Sequence, residues 1–253
     1  MMERQPSGGK NKERADRLLV DRGLVQSRER ARALIMAGQV VAGDHKVDKP
    51  GQLLDSSIEL RIKEDIPYVS RGGLKLQKAL DEFAIDVAGL IVMDVGASTG
   101  GFTDCLLQRG ARKVFAVDVG YGQLAWKLRQ DERVVSLEKT NIRYLEPDAL
   151  SDVPDMAVID ASFISLEKVL PNTLRLVKPG GTVVALVKPQ FEVGRGEVGK
   201  GGVVRDPEKH HEVIESVCGV ARTLDLEILG VTESPILGPK GNREFLLYVK
   251  KRL

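Results

Sequence analysis

From Ile91 to Val249 the chain repeats one pattern: a short run of branched apolar residues, then a longer stretch with helical spacing. The apolar runs are Ile91–Val95, Lys113–Asp118, Val134–Glu138, Met156–Asp160, Thr182–Val187, Leu226–Val231 and Phe245–Val249. Between them lie Phe102–Arg109, Gly122–Arg129, Leu166–Val177 and Glu208–Leu224, each long enough for a helix. Apolar runs without polar alternation belong to strands covered on both faces, and alternation with helices builds a mostly parallel sheet. The expected fold class is therefore α/β, a Rossmann-like doubly wound sheet of seven strands with ligands at the strands' carboxyl ends. The segment Thr232–Arg243 has no room for a helix, so the last two strands should return directly on one another as an antiparallel pair.

The front of the chain has a different character. Residues 1–13 are polar and are expected to be disordered. Residues 14–62 hold two short helical patterns, the first stopped at Gly23 and the second beginning after Ser27 as N-cap and ending at Gly38, followed by strand-like pieces around Val40, Lys46 and Ile58–Ile62. They read as a small α+β domain. Residues 63–69, with Asp65 and Pro67, read as a linker to a second domain over 70–253. Net charge is only +2, but residues 1–63 carry 13 Lys or Arg against 9 Asp or Glu, so the positive excess sits at the front, where a nucleic-acid contact would use it. Arg14, Arg17, Arg28, Arg30, Arg32 and Lys46 are the candidate phosphate contacts. No aromatic residue stands among them, which favours folded RNA over a single strand. There is no apolar signal core and no run of about 18 apolar residues, so neither export nor a membrane span is expected. The two cysteines, Cys105 and Cys218, sit in apolar periodic stretches and read as reduced, packed thiols of a cytoplasmic protein.

The first strand of the large domain runs into Asp94-Val95-Gly96-Ala97-Ser98-Thr99-Gly100-Gly101-Phe102. Glycines let the backbone turn sharply against a ligand, and the next helix offers its N-terminus. Asp118 ends the second strand, where a carboxylate can accept from two ribose hydroxyls. A dinucleotide site would want G-x-G-x-x-G, and Gly96 and Gly100 do not fit it. Asp94 would repel a pyrophosphate and suit an ammonium, so S-adenosylmethionine fits better than a nicotinamide cofactor. A ligand-free turn is the third option.

Four charged residues stand at strand or helix ends beside this loop: Lys75, Asp160, Lys188 and Glu244. The fourth strand ends in Asp160-Ala161-Ser162-Phe163, without the Asn-Pro-Pro-aromatic run used on exocyclic amines, and neither cysteine lies at the crevice as a base-carbon nucleophile would. Two amines and two carboxylates able to converge beside the donor would suit a sugar hydroxyl, although each charge alone also reads as a helix-face or rim residue. Such a hydroxyl is a weak nucleophile whose proton must leave as the methyl arrives, and a lysine takes it if burial and a second amine bring its pKa from ~10.4 toward ~7, roughly 4 kcal/mol. Nearby carboxylates oppose that shift, so their work would be orientation.

These residues carry a resemblance. Arg17-Leu18-Leu19-Val20-Asp21-Arg22-Gly23-Leu24, Ser27-Arg28-Glu29-Arg30-Ala31 and Gly38-Gln39-Val40-Val41-Ala42-Gly43 resemble the S-four RNA-binding domain, departing from many such domains at Leu19 (often Asp) and Ala42 (often Asn). Ser70–Leu76, Ile159–Leu166, Leu186–Gly194 and Gly241–Leu247 resemble the FtsJ-like 2′-O-methyltransferase fold. Together the chain resembles, almost end to end, the TlyA family of ribosomal RNA cytidine 2′-O-methyltransferases, often labelled hemolysin A. The resemblance implies a class I methyltransferase with a Lys-Asp-Lys-Glu tetrad at Lys75, Asp160, Lys188 and Glu244. In it Lys188 is the base and the other three place the ribose. It implies donor binding through Asp94, Gly96, Ser98, Thr99, Gly100, Gly101, Phe102 and Asp118, with Asn141 on the adenine side, and no metal. The implied partner is rRNA of the small, and in some members the large, ribosomal subunit. A membrane-active hemolysin and a non-catalytic ribosome-assembly protein are the rival readings.

Overall fold

The computed structural model describes residues 12–36, 38–43, 45–62, 67–194, 197–199 and 201–252. The chain divides into two compact units, Met1–Ile66 and Pro67–Leu253.

In the first unit, β1 (Lys12–Arg14) leads into α1 (Ala15–Asp21), then α2 (Arg28–Met36), β2 (Val40–Ala42), β3 (His45–Lys46), β4 (Leu53–Asp55) and β5 (Leu60–Ile62). Gly23, at φ +69°, follows α1, and the Ser27 hydroxyl accepts from the Arg30 amide to start α2, as its sequence predicts. β1 pairs with β4, and β3-β2-β5 form a second antiparallel sheet, around a core of Leu18, Leu19, Leu34, Ile35 and Val40. Two expectations change. Residues 1–11 of the expected disordered segment lie outside the described residues, but Lys12 and Glu13 are paired strand, so order begins before Arg14. Residues 63–66 of the expected linker also lie outside, while Pro67–Val69 pack on the second unit: the Gln108 amide donates to the Pro67 carbonyl (2.8 Å) and the Val69 N–H to Asp104 (2.8 Å).

Asp16 of α1 is fully buried and accepts from Arg14 and Arg28. The Arg14 guanidinium chiefly, with Arg28 beside it and against the cost of burial, holds the Asp16 carboxyl at about 2, below its usual 3.8. A lowered folded-state pKa stabilises above the unfolded value and loses that contribution as pH falls toward the folded one. Amide exchange of α1 in the full chain should therefore show protection falling between about pH 4 and pH 2. Asp16→Asn should lower protection at neutral pH and flatten that fall; an unaltered profile would show the pair contributes nothing.

The second unit opens with α3 (Gly72–Glu82) and continues through β6 (Ile91–Val95), α4 (Gly101–Gln108), β7 (Lys113–Val117), α5 (Trp126–Arg129), β8 (Val134–Leu137), β9 (Met156–Ile159), α6 (Leu166–Leu176), β10 (Thr182–Val187), α7 (Pro189–Glu192), α8 (Pro207–Thr223), β11 (Leu226–Glu233) and β12 (Phe245–Lys251). The sheet has seven strands in the order β11-β12-β10-β9-β6-β7-β8. All neighbours from β10 to β8 are parallel, and β12 runs against both β10 and β11. Every residue of β6 and β9 is buried; along β6, Ile91, Met93 and Val95 enter one core and Val92 the other, as a sheet covered on both faces requires. The chain leaves β6 toward β7 and β8, then returns to β9 on β6's other side. That reversal opens a crevice between the ends of β6 and β9, where a ligand belongs. The expected helix over 122–129 is only α5, because Gly122 takes φ +72°.

Candidate active site

Two cavities of about 590 and 430 Å³ lie at the carboxyl ends of β6 and β9 and share Gly96, Ser98 and Asp160. Gly96 sits at φ +85°, and a Cβ there would stand 2.8 Å from the Asp160 backbone oxygen. Only glycine lets the loop after β6 pass so close to the end of β9. Ser98 follows at φ +49°, its N–H donating to Asp118 Oδ2 (2.7 Å), while the Gly120 N–H donates to Oδ1 (2.6 Å). Two amides thus aim the Asp118 carboxylate, and each oxygen keeps a lone pair for a ligand hydroxyl. Asp118 and Asn141 line the smaller cavity; Thr99, Gly101 and Phe102 line the larger. Asn141 Oδ1 accepts from the Arg143 amide (3.1 Å), capping the turn that follows.

Two of the expected donor contacts are placed otherwise. Asp94 lines neither cavity: it is fully buried and accepts from the Thr103 hydroxyl (2.6 Å), clasping together the two ends of the glycine loop. Burial pushes its carboxyl up to about 7, helped by the charges of Asp160 and Asp118 and opposed by Thr103. Gly100, at φ +94°, is the cap of α4 and also lines neither cavity.

The four tetrad candidates gather as two ion pairs. Lys75, on α3, donates to Glu244 at the start of β12 (2.5 Å), both side chains buried. Lys188, just past β10, lies 2.6 Å from Asp160 Oδ1 and donates to the Ser162 hydroxyl (2.8 Å). Each lysine thus faces a carboxylate, where the sequence-based argument looked to a second amine beside Lys188. Asp160 Oδ1 is close to Lys188 but poorly angled for a hydrogen bond, and like Glu244 Oε1 it is a buried oxygen with no hydrogen-bond partner. Asp160 lines both cavities and Lys75 the larger, while Lys188 and Glu244 line neither and stand directly behind them.

The motif reading missed Ser162, which orients Lys188, and Glu192, which accepts from the Ser165 hydroxyl (2.7 Å) and the Leu166 amide (3.0 Å) and so ties α7 to the loop after β9. Burial raises the Glu192 carboxyl. Positive φ at Ser98, Phe163 and Lys240, all cavity-lining, was equally invisible in sequence and marks strain at a working site. Cys105 and Cys218 are buried and burial raises both thiols, Cys105 to about 11, in keeping with packed, unreactive groups. Arg14, Arg17, Arg28 and Lys46 have half-exposed or exposed side chains, each also near a carboxylate, and Arg30 and Arg32 are exposed. Among the described residues no helix is long and apolar enough to cross a membrane.

A seven-stranded sheet with one reversed strand, a glycine loop at its switch point and an acid ending the next strand define a class I methyltransferase, whose methyl donor is S-adenosylmethionine. The comparisons agree. Residues 68–251 match the FtsJ-like methyltransferase family and residues 13–57 the S4 (S-four) domain. The chain is 52% identical over 240 residues to the candidate rRNA methyltransferase YqxC of Bacillus subtilis, covering 94% of this chain and 85% of that one. It is 48% identical over 239 residues to the 16S/23S rRNA (cytidine-2′-O)-methyltransferase TlyA of Mycobacterium tuberculosis, covering 94% and 89%. A solved structure described as a candidate hemolysin from Streptococcus thermophilus superposes with a TM-score of 0.76 at 49% identity, covering 96% and 90%. The chain belongs to the TlyA family of FtsJ-like methyltransferases.

Proposed function

We propose that the chain methylates the 2′ hydroxyl of a cytidine in ribosomal RNA, of the small and large subunits, with residues 70–253 as the catalytic domain and 14–62 as the RNA-binding module. The observation that carries this reading is the pair of buried acceptors, Asp160 Oδ1 in the wall of both cavities and Glu244 Oε1 behind Lys75, which lines the larger one, each beside a lysine. A ribose diol supplies hydroxyl donors for such oxygens.

S-adenosylmethionine, when bound, supplies an electrophilic methyl group. The Gly96–Phe102 loop and Asp118 would hold it, Asp118 through the ribose hydroxyls and Asn141 on the adenine side, and Asp94 acts by keeping the loop closed. Lys188, once its ammonium has released a proton to solvent, takes as a neutral amine the proton that the acceptor hydroxyl gives up, while Asp160 and Ser162 fix where that nitrogen points. Lys75 and Glu244 orient the sugar. Two ion pairs rather than scattered charges keep this polar set tolerable in a buried place.

A ribosomal substrate implies a cytoplasmic enzyme. The cytidine and the two subunits are drawn from the M. tuberculosis relative's description. Mass spectrometry of rRNA from cells with and without the protein tests them together: one or more cytidine 2′-O-methyl groups should be present in the first and missing in the second. Identical methylation in both would refute the reading.

A further inference from the structure

The larger cavity has a basic wall that the chemistry above does not use. Its carboxylate, Asp160, is already paired with Lys188, and Lys75 beside it is paired with Glu244. Arg71 and Lys240 also line it, and among the described residues neither has a carboxylate within ion-pair distance. Among the described residues the Arg71 guanidinium donates to the Leu237 carbonyl (3.3 Å), which points it at the segment carrying Lys240. Arg71, at the start of α3, stands one helical turn before Lys75, and Lys240 lies in the turn before β12; both line the cavity that Lys75 also lines. Lys240 holds φ +60°, a conformation that costs energy and persists where a ligand clamp needs it.

We propose that Arg71 and Lys240 form a clamp for the RNA phosphodiester next to the target ribose. This rests on the reading of the acceptor as a ribose 2′ hydroxyl and deepens it. The 2′ hydroxyl and the 3′ phosphate hang from adjacent ribose carbons, so a pocket that brings the first to Lys188 must accommodate the second within a nucleotide's reach. With the tetrad's charges internally balanced, the phosphate's charge is met by these two residues. Arginine offers a planar fork for two phosphate oxygens and lysine a mobile point charge. The other anion that this wall could meet is the donor's own carboxylate, and the experiment separates the two.

The full chain is assayed with unmethylated ribosomal subunits of both sizes at saturating S-adenosylmethionine, and donor Kd is measured by calorimetry. Arg71→Gln and Lys240→Gln should each raise the KM for the RNA substrate about tenfold and lower the slope of log affinity against log salt by about 1. Donor Kd should stay within twofold, and Lys240→Arg should restore most of the loss. Both side chains are exposed, so thermal melting should match the parent. A weakened donor Kd with RNA KM unchanged, or no change in either, overturns the clamp. A parent chain that methylates no RNA removes the underlying reading and the clamp with it, a result distinct from an active parent whose variants use RNA unchanged.

Discussion

Replacing Lys188 with alanine is expected to lower methyl transfer by two to four orders of magnitude, the usual worth of a positioned proton acceptor. S-adenosylmethionine and RNA affinities should change little, because Lys188 belongs to neither the Asp118 cavity nor the N-terminal module. The size of the effect follows from the chemistry: a sugar hydroxyl that keeps its proton as it gains a methyl group passes through an oxonium, and among the described residues no other amine contacts Asp160 and Ser162. Single-turnover transfer with both substrates saturating is the measurement. Transfer by Lys188→Ala at the parent's rate would eliminate the lysine as proton acceptor.

The second large effect concerns stability. Lys75→Met leaves the Glu244 carboxylate fully buried without its ammonium. Removing one partner of a buried pair costs about 3–5 kcal/mol, which for a unit of this size lowers Tm by roughly 6–20 °C. Replacing both, as Lys75→Met with Glu244→Leu, should recover most of that loss while transfer stays absent, since the uncompensated charge has gone and so has the ribose-placing oxygen. Calorimetric melting of the three proteins decides it. A single variant melting with the parent would show that the pair is not sealed from water.

Much of the architecture was open to reading in the sequence because apolar periodicity survives tertiary folding. All seven strands of the large sheet appear within a few residues of their expected places, and the helix-free stretch 232–243 correctly announced an antiparallel return. The strands β1 and β4 were missed: Lys12-Glu13-Arg14 has no apolar alternation, and its strand character comes only from its pairing with residues 53–55. Three of the tetrad residues were visible as charges at strand ends, and Lys75 as a charge on the helix leading into the sheet. Their pairing was not, because which lysine meets which carboxylate is set by strand order. Asp94 shows the same limit. Its place at the end of β6 suggested a donor contact; the side chain runs under the loop, where Oδ2 accepts from Thr103 and the buried Oδ1 has no hydrogen-bond partner among the described residues. Asp16, which the sequence reading did not single out, is buried beneath two of the arginines expected to meet RNA.

The reversed strand β12 has a consequence for when the enzyme can first act. Because β12 runs against its neighbours, its beginning, with Glu244, lies at the edge where β9 and β10 end. A forward-running strand would have carried that carboxylate to the opposite edge of the sheet. The pocket is therefore finished only when a late segment threads between β10 and β11, after both are already laid down. A nascent chain still missing that segment can display the glycine loop and three of the four polar groups, but leaves Lys75 without the carboxylate that faces it in the finished fold.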